Sequence, residues 1–599
     1  MRFRIMFTLL ISILLSFSCS NMVESSADVN TNVDDYATGV APFAVFFDVE
    51  DYGSAYADEP FHDLEYRWNF GDTTNEDATW DYGARPGEIL KNETTGPVSA
   101  HLYEEPGDYT ATVTIWDGSE EAVKTVTYDI TITDPDTVFS DSTYVISSDG
   151  DFTDAPEGAI QVTSSVFDTS LSTALASGAK RILYKAGQTF SYSSTTIVTQ
   201  DGPILIGSFG SGDDPIISLD ETYEGYWCIQ INSDNVKIMD LEINGNGYTD
   251  PVPARGAYLG GDNCVALRIY AHDLGYMVSP GGSNSAIVEC QSDSIVGGSG
   301  NMPIWANDVY GLFLAGCRLS NGGGGEYNFR YQGGTEGVIT NNTFEWCGDG
   351  KCLFTLRGNA NDLDYICSRH VISDNYFDGA SCSSLNFHST IVPQNNASDE
   401  PIRDVIYERN YHNSVGNPNM LNINARYITV RNNLFDGSLA SQGSCINISY
   451  SNNSTDLPTP SNIYMYHNTF YSSSTNGFTG ITIYNQSAAP YDCIAKNNFL
   501  YAPNTTINGS GNSGPDLYVD YGTDNTWSNN TDNEAVSSEA TDEFTHFTVQ
   551  PPSDDPEDWV LLPDSYANDD GESVSVWSDF FRTSLFCSTS RSLGAINIE

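Results

Sequence analysis

The chain has 599 residues, with 80 Asp and Glu against 24 Lys and Arg, for a formal net charge of −56. A surface this acidic repels nucleic acid and anionic lipid head groups, which excludes both as partners. Only 17% of residues are charged and 12% are aromatic, which excludes a disordered chain and fits an extracellular β-protein faced with Ser, Thr, Asn and Gly.

The first elements concern export. Met1-Arg2-Phe3-Arg4 and the apolar run to Phe17 read as a bacterial-type signal over residues 1–19, too short to span a membrane. Leu14-Leu15-Ser16-Phe17-Ser18-Cys19 resembles a lipoprotein signal, which implies acylation of Cys19. The chain is then a cell-surface lipoprotein, or a freely secreted protein, and touches a membrane only through that anchor. Residues 20–40 form a polar tether. From 41 to 134 a β-sandwich is predicted, with strands at Phe43–Asp48, Tyr66–Asp72 and Ala111–Ile115 and a turn at Pro106-Gly107-Asp108. Trp68-Asn69-Phe70-Gly71-Asp72 and the stretch from His101 to Tyr109 resemble a PKD domain. That resemblance implies an immunoglobulin-like spacer or carbohydrate-surface module, with His101 structural. Residues 135–160 read as an acidic linker; Asp149, Asp151 and Asp154 lack the Gly and terminal Glu of an EF-hand loop.

Residues 161–599 carry a repeat. A helix is expected over Leu171–Ala179, then strands in Arg181–Phe190 and Gly202–Gly212. An alternating apolar/polar pattern follows six times, beginning at Tyr327, Phe354, Leu385, Leu421, Ile446 and Ile481, at spacings of 25 to 36 residues. Alternation is the period of a strand with one buried face. Between the copies stand Asn342-Thr343-Phe344, Asn375-Tyr376-Phe377, Asn410-Tyr411-His412, Asn433-Leu434-Phe435 and Asn468-Thr469-Phe470. Two strand signals per repeat of this length predict a solenoid, and the Val, Ile, Phe, Thr and Asn content selects a right-handed parallel β-helix. Phe329, Leu356, Phe387 and Ile423 are expected in one interior column. The recurrent Asn residues are expected at corners, in αL geometry and bonded to neighbouring coils. Cys264, Cys290 and Cys317, one per coil, are expected to stack as small apolar groups, and Cys347 with Cys352 is the best disulfide candidate. The helix, the strands and Gly337–Phe344 resemble the pectate-lyase-like superfamily of right-handed β-helices. Val576–Arg582 and Leu593–Ala595 resemble its closing segment. The resemblance implies the fold and leaves the activity open, since lyases, hydrolases, esterases, epimerases and adhesins share it.

Function is sought in the outward columns. With Phe, Leu and Ile inside, one column is Asn328, Thr355, Asn386, Asn422, Asn447 and Thr482. The other is Arg330, Arg357, His388, Asn424, Ser449 and Tyr484, with Lys351 beside Thr355. Two stacked arginines repel unless an anion lies across them. Arg330, Arg357, His388 and Lys351 are therefore the catalytic candidates, and Asn328, Thr355, Asn386, Asn422, Asn424 and Tyr484 the substrate-binding ones. The implied partner is an anionic, uronate-containing polysaccharide, cleaved by β-elimination: arginine neutralises the carboxylate while His388 or Lys351 takes the proton. Leu353–Arg357 resembles the arginine strand of chondroitinase-B-like and alginate lyases. That family places a lysine where this chain has Arg330. Calcium is the cofactor that resemblance admits, but no acids in the sequence are identified as its ligands. Two other classes stay open: a non-catalytic carbohydrate-binding or adhesive protein, and a glycoside hydrolase, which needs two carboxylic acids facing one groove. The alternative reading of the arginines is neutralisation by Glu326, Glu345 or Asp349. The chain reads as a monomer.

Overall fold

The computed structural model describes residues 38–528, apart from 75–77, 81–89, 118–121, 221–225, 250–251, 299, 322–325, 347–350, 359–366, 380–386, 393–401, 414–418, 438–443, 450–458, 472–478, 485–488, 502–515 and 521–522. The export signal, Cys19, Cys347, Asn386 and the expected closing segments lie outside the described residues.

Strands Gly107–Trp116 and Lys124–Thr133 alternate buried and exposed residues, and they pair at the centre of a five-stranded sheet. Phe43–Asp48 and Val98–Tyr103 form the facing antiparallel pair. Thr38–Val40 adds to the first sheet beside Lys124–Thr133, so the last residues of the expected tether belong to the sandwich. Trp68 Nε1 donates to the Gly96 carbonyl at 2.9 Å, and the Tyr103 hydroxyl donates to that of Phe70 at 2.9 Å. His101 is buried, stacked on Phe70 at 4.4 Å and bonded to Asp72 at 3.0 Å, a structural role as expected.

The expected acidic linker is not one. Thr143–Ser147 pairs in parallel with Arg181–Lys185 and forms a rung of the large parallel sheet. Its Val145 and Ile146 are apolar and buried; the acids that suggested a linker follow the strand. The capping helix runs Phe167–Ala176, four residues earlier than predicted at its start, and buries Phe167, Leu171 and Leu175 with Tyr184 and Phe190.

From there the chain is a right-handed parallel β-helix. Each coil visits three sheets. Sheet A holds Thr196–Val198, Trp227–Ile231, Arg255–Leu259, Tyr276–Pro280, the first halves of Ile304–Ala315 and Phe329–Thr340, then Cys352–Arg357, Phe387–Val392, Asn419–Ile423, Ser444–Ser449, Thr479–Tyr484 and Asp516–Asp520. Sheet B begins at Thr143–Ser147 and Arg181–Lys185 and includes the second halves of the two long strands. Sheet C holds the short strands after the corner, such as Thr343–Glu345 and Tyr376–Asp378.

The Asn residues at the corner between sheets B and C form a ladder. Asn342 Nδ2 donates to Asn375 Oδ1 at 3.0 Å, and Asn375, Asn410, Asn433 and Asn468 each donate likewise to the next, ending at Asn498. Contrary to the expectation from sequence, they are not the αL residues. The positive φ falls one position earlier, at Asn341, Asp374, Arg409, Asn432, His467 and Asn497. Cys290 and Cys317 continue this ladder: the Cys290 amide donates to Cys317 Sγ, and that of Cys317 to Asn342 Oδ1. Cys264 instead precedes Val265, at the corner where sheet B begins.

The sandwich lies against the outer side of sheet B. Ala44, Phe46, Phe61, Val98, Ala100 and Leu102 cover Leu267, Val288, Phe313, Val338, Val371 and Ile406. Cross-domain ion pairs ring this patch: Arg369 with Asp48 (2.6 Å) and Glu50 (2.9 Å), Arg268 with Glu104, and Lys91 with Glu289. Beneath it Arg409 and Arg431 hold buried Glu408, and Arg409 also meets Asp374 at 3.1 Å. Burial works against the Glu408 charge, but Arg409 and Arg431 outweigh it and hold the carboxyl down at about 2.

Candidate functional site

The outward side of sheet A is where the sequence placed the site, and the described sandwich residues leave it uncovered. Its register differs from the expected one. Phe329 pairs with Phe354, Arg330 with Thr355, Tyr331 with Leu356 and Gln332 with Arg357. Phe354 in turn pairs with Ser389 and Leu356 with Ile391. Phe329, Leu356, Phe387 and Ile423 therefore do not share one column. Phe329, Phe354, Ser389 and Leu421 form one column; Tyr331, Leu356, Ile391 and Ile423 form the next. From Leu421 onward the copies stack as predicted, with Asn422, Asn447 and Thr482 in register and Ser449 beside Tyr484.

The candidates separate accordingly. Arg330 and Arg357 are diagonal neighbours rather than one ladder. His388 is in neither arginine's column. The pairs Cys352 with Phe387 and Phe387 with Asn419 put its backbone level with Leu353 and Met420, both buried in the core. Its side chain is outside what is described. Asn328 is not on the surface: it is fully buried where the chain turns into sheet A, and its Nδ2 donates to the Leu319 carbonyl at 2.7 Å and to that of Glu345. Thr355 is buried under Thr390, bonded at 2.8 Å. Asn422 accepts from Asn447 at 2.7 Å and is nearly buried, Asn424 is buried, and Tyr484 is exposed. Cys352 is buried against Tyr276, Met302 and Tyr327, and burial pushes its thiol up to about 12; Cys347, its expected partner, lies outside the described residues.

The first half of the sheet carries what sequence reasoning missed. Trp227, Arg255 and Tyr276 are in register on its outer side, and Met302, Tyr327 and Cys352 continue that column. Three residues along each strand, Gln230 pairs with Tyr258, and farther on Trp305 pairs with Arg330. Their aromatic members Trp227, Tyr258, Tyr276, Trp305 and Tyr327 are visible in the sequence, but the six-copy pattern begins only at Tyr327, after the others. The rings make a continuous floor: Trp227 lies 5.6 Å from Tyr258 and 6.0 Å from Tyr276, and Tyr276 lies 6.2 Å from Trp305.

Arginines lie on this floor. Arg330 sits 5.7 Å over Trp305, Arg357 sits 5.6 Å over Tyr327, and Arg255 contacts Tyr226, Trp227 and Tyr276 at 5.3, 5.2 and 4.6 Å. Among the described residues none of the three has a carboxylate within ion-pair distance. The acids expected to neutralise Arg330 and Arg357 are engaged elsewhere: Glu326 with Lys351 at 2.7 Å and Glu345 with Arg318 at 2.6 Å. Asp349 lies outside the described residues. The Nε of Arg255, Arg330 and Arg357 and the Nε1 of Trp305 are buried with no hydrogen-bond partner there. Burial, with Arg357 adding to it, pulls the Arg330 guanidinium below its ordinary value. This is a partly desolvated cationic site on an acidic molecule. No three His, Cys, Asp or Glu side chains converge on a metal position among the described residues.

Comparison with known proteins adds a domain name. Residues 52–130 match the PKD domain family. The PKD domain here is the sandwich packed on sheet B. No curated protein sequence matches the chain. Among solved structures, the Dettilon tailspike protein is similar at 14% identity and TM-score 0.42, over 64% of this chain and 68% of that one. The periplasmic alginate epimerase AlgG is similar at 10% and 0.38, over 59% and 76%. The Yersinia enterocolitica family 28 exopolygalacturonase is similar at 10% and 0.38, over 82% and 97%.

Proposed function

We propose that the protein is an exported carbohydrate-active β-helix protein whose sheet A face binds an anionic polysaccharide. One observation carries the reading: Arg255, Arg330 and Arg357 lie on aromatic rings without carboxylate partners among the described residues, in a chain of net charge −56. Uronate carboxylates or sulfates match the guanidinium fork, and the rings offer faces to sugar C–H groups. Each charge-assisted contact contributes about 1.5–3 kcal/mol.

The chemistry this charge arrangement favours is β-elimination. Arg330 or Arg357 neutralises the uronate carboxylate and stabilises the enolate that forms when the base takes the C5 proton; the C4–O glycosidic bond then breaks as the C4–C5 double bond forms, and the departing oxygen takes up a proton. Of the two bases named from the sequence, we assign the role to Lys351, whose Nζ lies 5.3 Å over the Tyr327 ring that Arg357 also covers. Its tie to Glu326 must open for it to act. The same tie favours a second reading, a non-catalytic carbohydrate-binding protein in which Lys351 is merely neutralised.

A panel of polygalacturonate, alginate, chondroitin sulfate and neutral dextran tests both. Retention of an anionic member and not dextran is expected. Unsaturated uronate ends, read by ultraviolet absorbance and lost in Lys351→Ala, mark the lyase. Retention without them leaves the binding protein, and retention of dextran alone overturns the anionic reading.

A further inference from the structure

Arg255 and the Arg330–Arg357 pair are two separate cationic points on one floor. Register places Arg255 level with Tyr276 on the next coil, and Val278 with Ile304 and Ile304 with Phe329 on the coils after, so Arg330 lies three coils beyond Arg255. At the usual strand spacing that is about 14 Å. The outward residues between them, Tyr258, Ser279, Met302 and Trp305, carry no charge. Each end has its own orphaned donors: Arg255 Nε at one, Arg330 Nε, Arg357 Nε and Trp305 Nε1 at the other.

Resting on the function proposed above, we infer that this is a two-anchor groove running along the helix axis. Arg255, pre-organised among Tyr226, Trp227 and Tyr276, holds one anionic group of the bound chain, and Arg330 with Arg357 holds another farther along. The uncharged aromatic floor between them supports the intervening sugars. A mono- or disaccharide is too short to reach both anchors, so the occupant is an oligomer of several units with anionic groups spaced along it. Linking two contacts through one ligand makes the second intramolecular, so affinity rises steeply once the ligand spans the gap.

The experiment measures affinity of the full-length protein for size-fractionated polygalacturonate and alginate oligomers, dimers through octamers, by calorimetry. The wild type should show a step at the length that bridges the anchors. Arg255→Ala should lower octamer affinity about 10- to 150-fold and leave dimer affinity within a few-fold, removing the step. If Arg255→Ala does not fold, judged by its circular dichroism, Arg255→Lys keeps the charge without the fork and should blunt the same step. A wild-type affinity that does not change with length, or an equal loss for dimers and octamers, overturns the two-anchor groove while leaving anionic binding in place. Failure of every anionic oligomer to bind overturns the parent reading itself.

Discussion

Two sides of the same β-helix carry arginines, and they treat them in opposite ways. On sheet B, Arg268, Arg369, Arg409 and Arg431 each meet at least one carboxylate, and the PKD domain supplies several of these acids. On sheet A, Arg255, Arg330 and Arg357 meet aromatic rings. Scarcity of acid does not explain the contrast, because the chain has 80 acids. Arg268 and Arg369 join the helix to the PKD domain by ion pairs, and Arg409 reaches its Thr95 by a hydrogen bond. Those on sheet A meet no carboxylate among the described residues, which leaves their charge available to something outside the molecule.

The comparison breaks most sharply at Arg409. Arg409→Met leaves Glu408 and Asp374 buried without their shared counter-charge, a cost of about 3–5 kcal/mol. The thermal unfolding midpoint should drop clearly, with the sandwich among the first parts to lose protection in hydrogen exchange. A midpoint unchanged from wild type would mean that the buried network does not hold the domains together.

Acid provides the second test. The Glu408 carboxyl is held at about 2 in the folded protein, below its ordinary value of 4.5, so its contribution to stability is present above pH 4.5. It is lost as pH falls from there through 2. Equilibrium unfolding followed from pH 5 to pH 2 should show declining stability in the wild type. In Glu408→Gln the decline should be shallower.

Smaller effects belong to sheet A. Arg357→Ala should weaken binding of an anionic polysaccharide by about 1.5–3 kcal/mol, roughly 10- to 150-fold. It should leave the unfolding midpoint nearly where it was, because no ion pair is lost. A large fall in the midpoint without loss of binding would reverse the contrast between the two sheets. Smallest of all, Lys351→Ala should change stability by no more than about 1 kcal/mol, since its pair with Glu326 is exposed on the lysine side.

Much of the fold was readable because β-helices announce themselves twice, in alternation and in recurrence. Asn342, Asn375, Asn410, Asn433 and Asn468 stood out in the sequence and form the ladder. The register was less readable. Side chains alternate with a period of two, so a slip of two or four residues leaves every apolar group inside and cannot be seen in the pattern. The slip between the Tyr327 and Phe354 copies is two residues, and that at the Leu385 copy is four. This separated His388 from the arginines while leaving the choice of Arg330 and Arg357 intact. Arg255 was missed for another reason: its strand, Arg255–Leu259, reads Arg-Gly-Ala-Tyr-Leu, with small residues where the later copies have large ones. The Thr143–Ser147 rung was hidden by the acids around it, whose charge spoke louder than four strand-forming residues.

The PKD domain also has a mechanical consequence. It touches sheet B from Leu183, packed with Val40, to Tyr464, whose ring lies 6.0 Å from that of His62. Solenoid coils depend on their neighbours and detach one at a time from an open end. A splint fastened across many coils prevents this, because none beneath it can leave until the splint itself lets go. Thr479–Tyr484 and Asp516–Asp520 lie past its described contacts. Pulled from the C-terminal side, the helix should first lengthen in small steps as those coils peel away, then resist, and finally give in one long extension when the splint tears free.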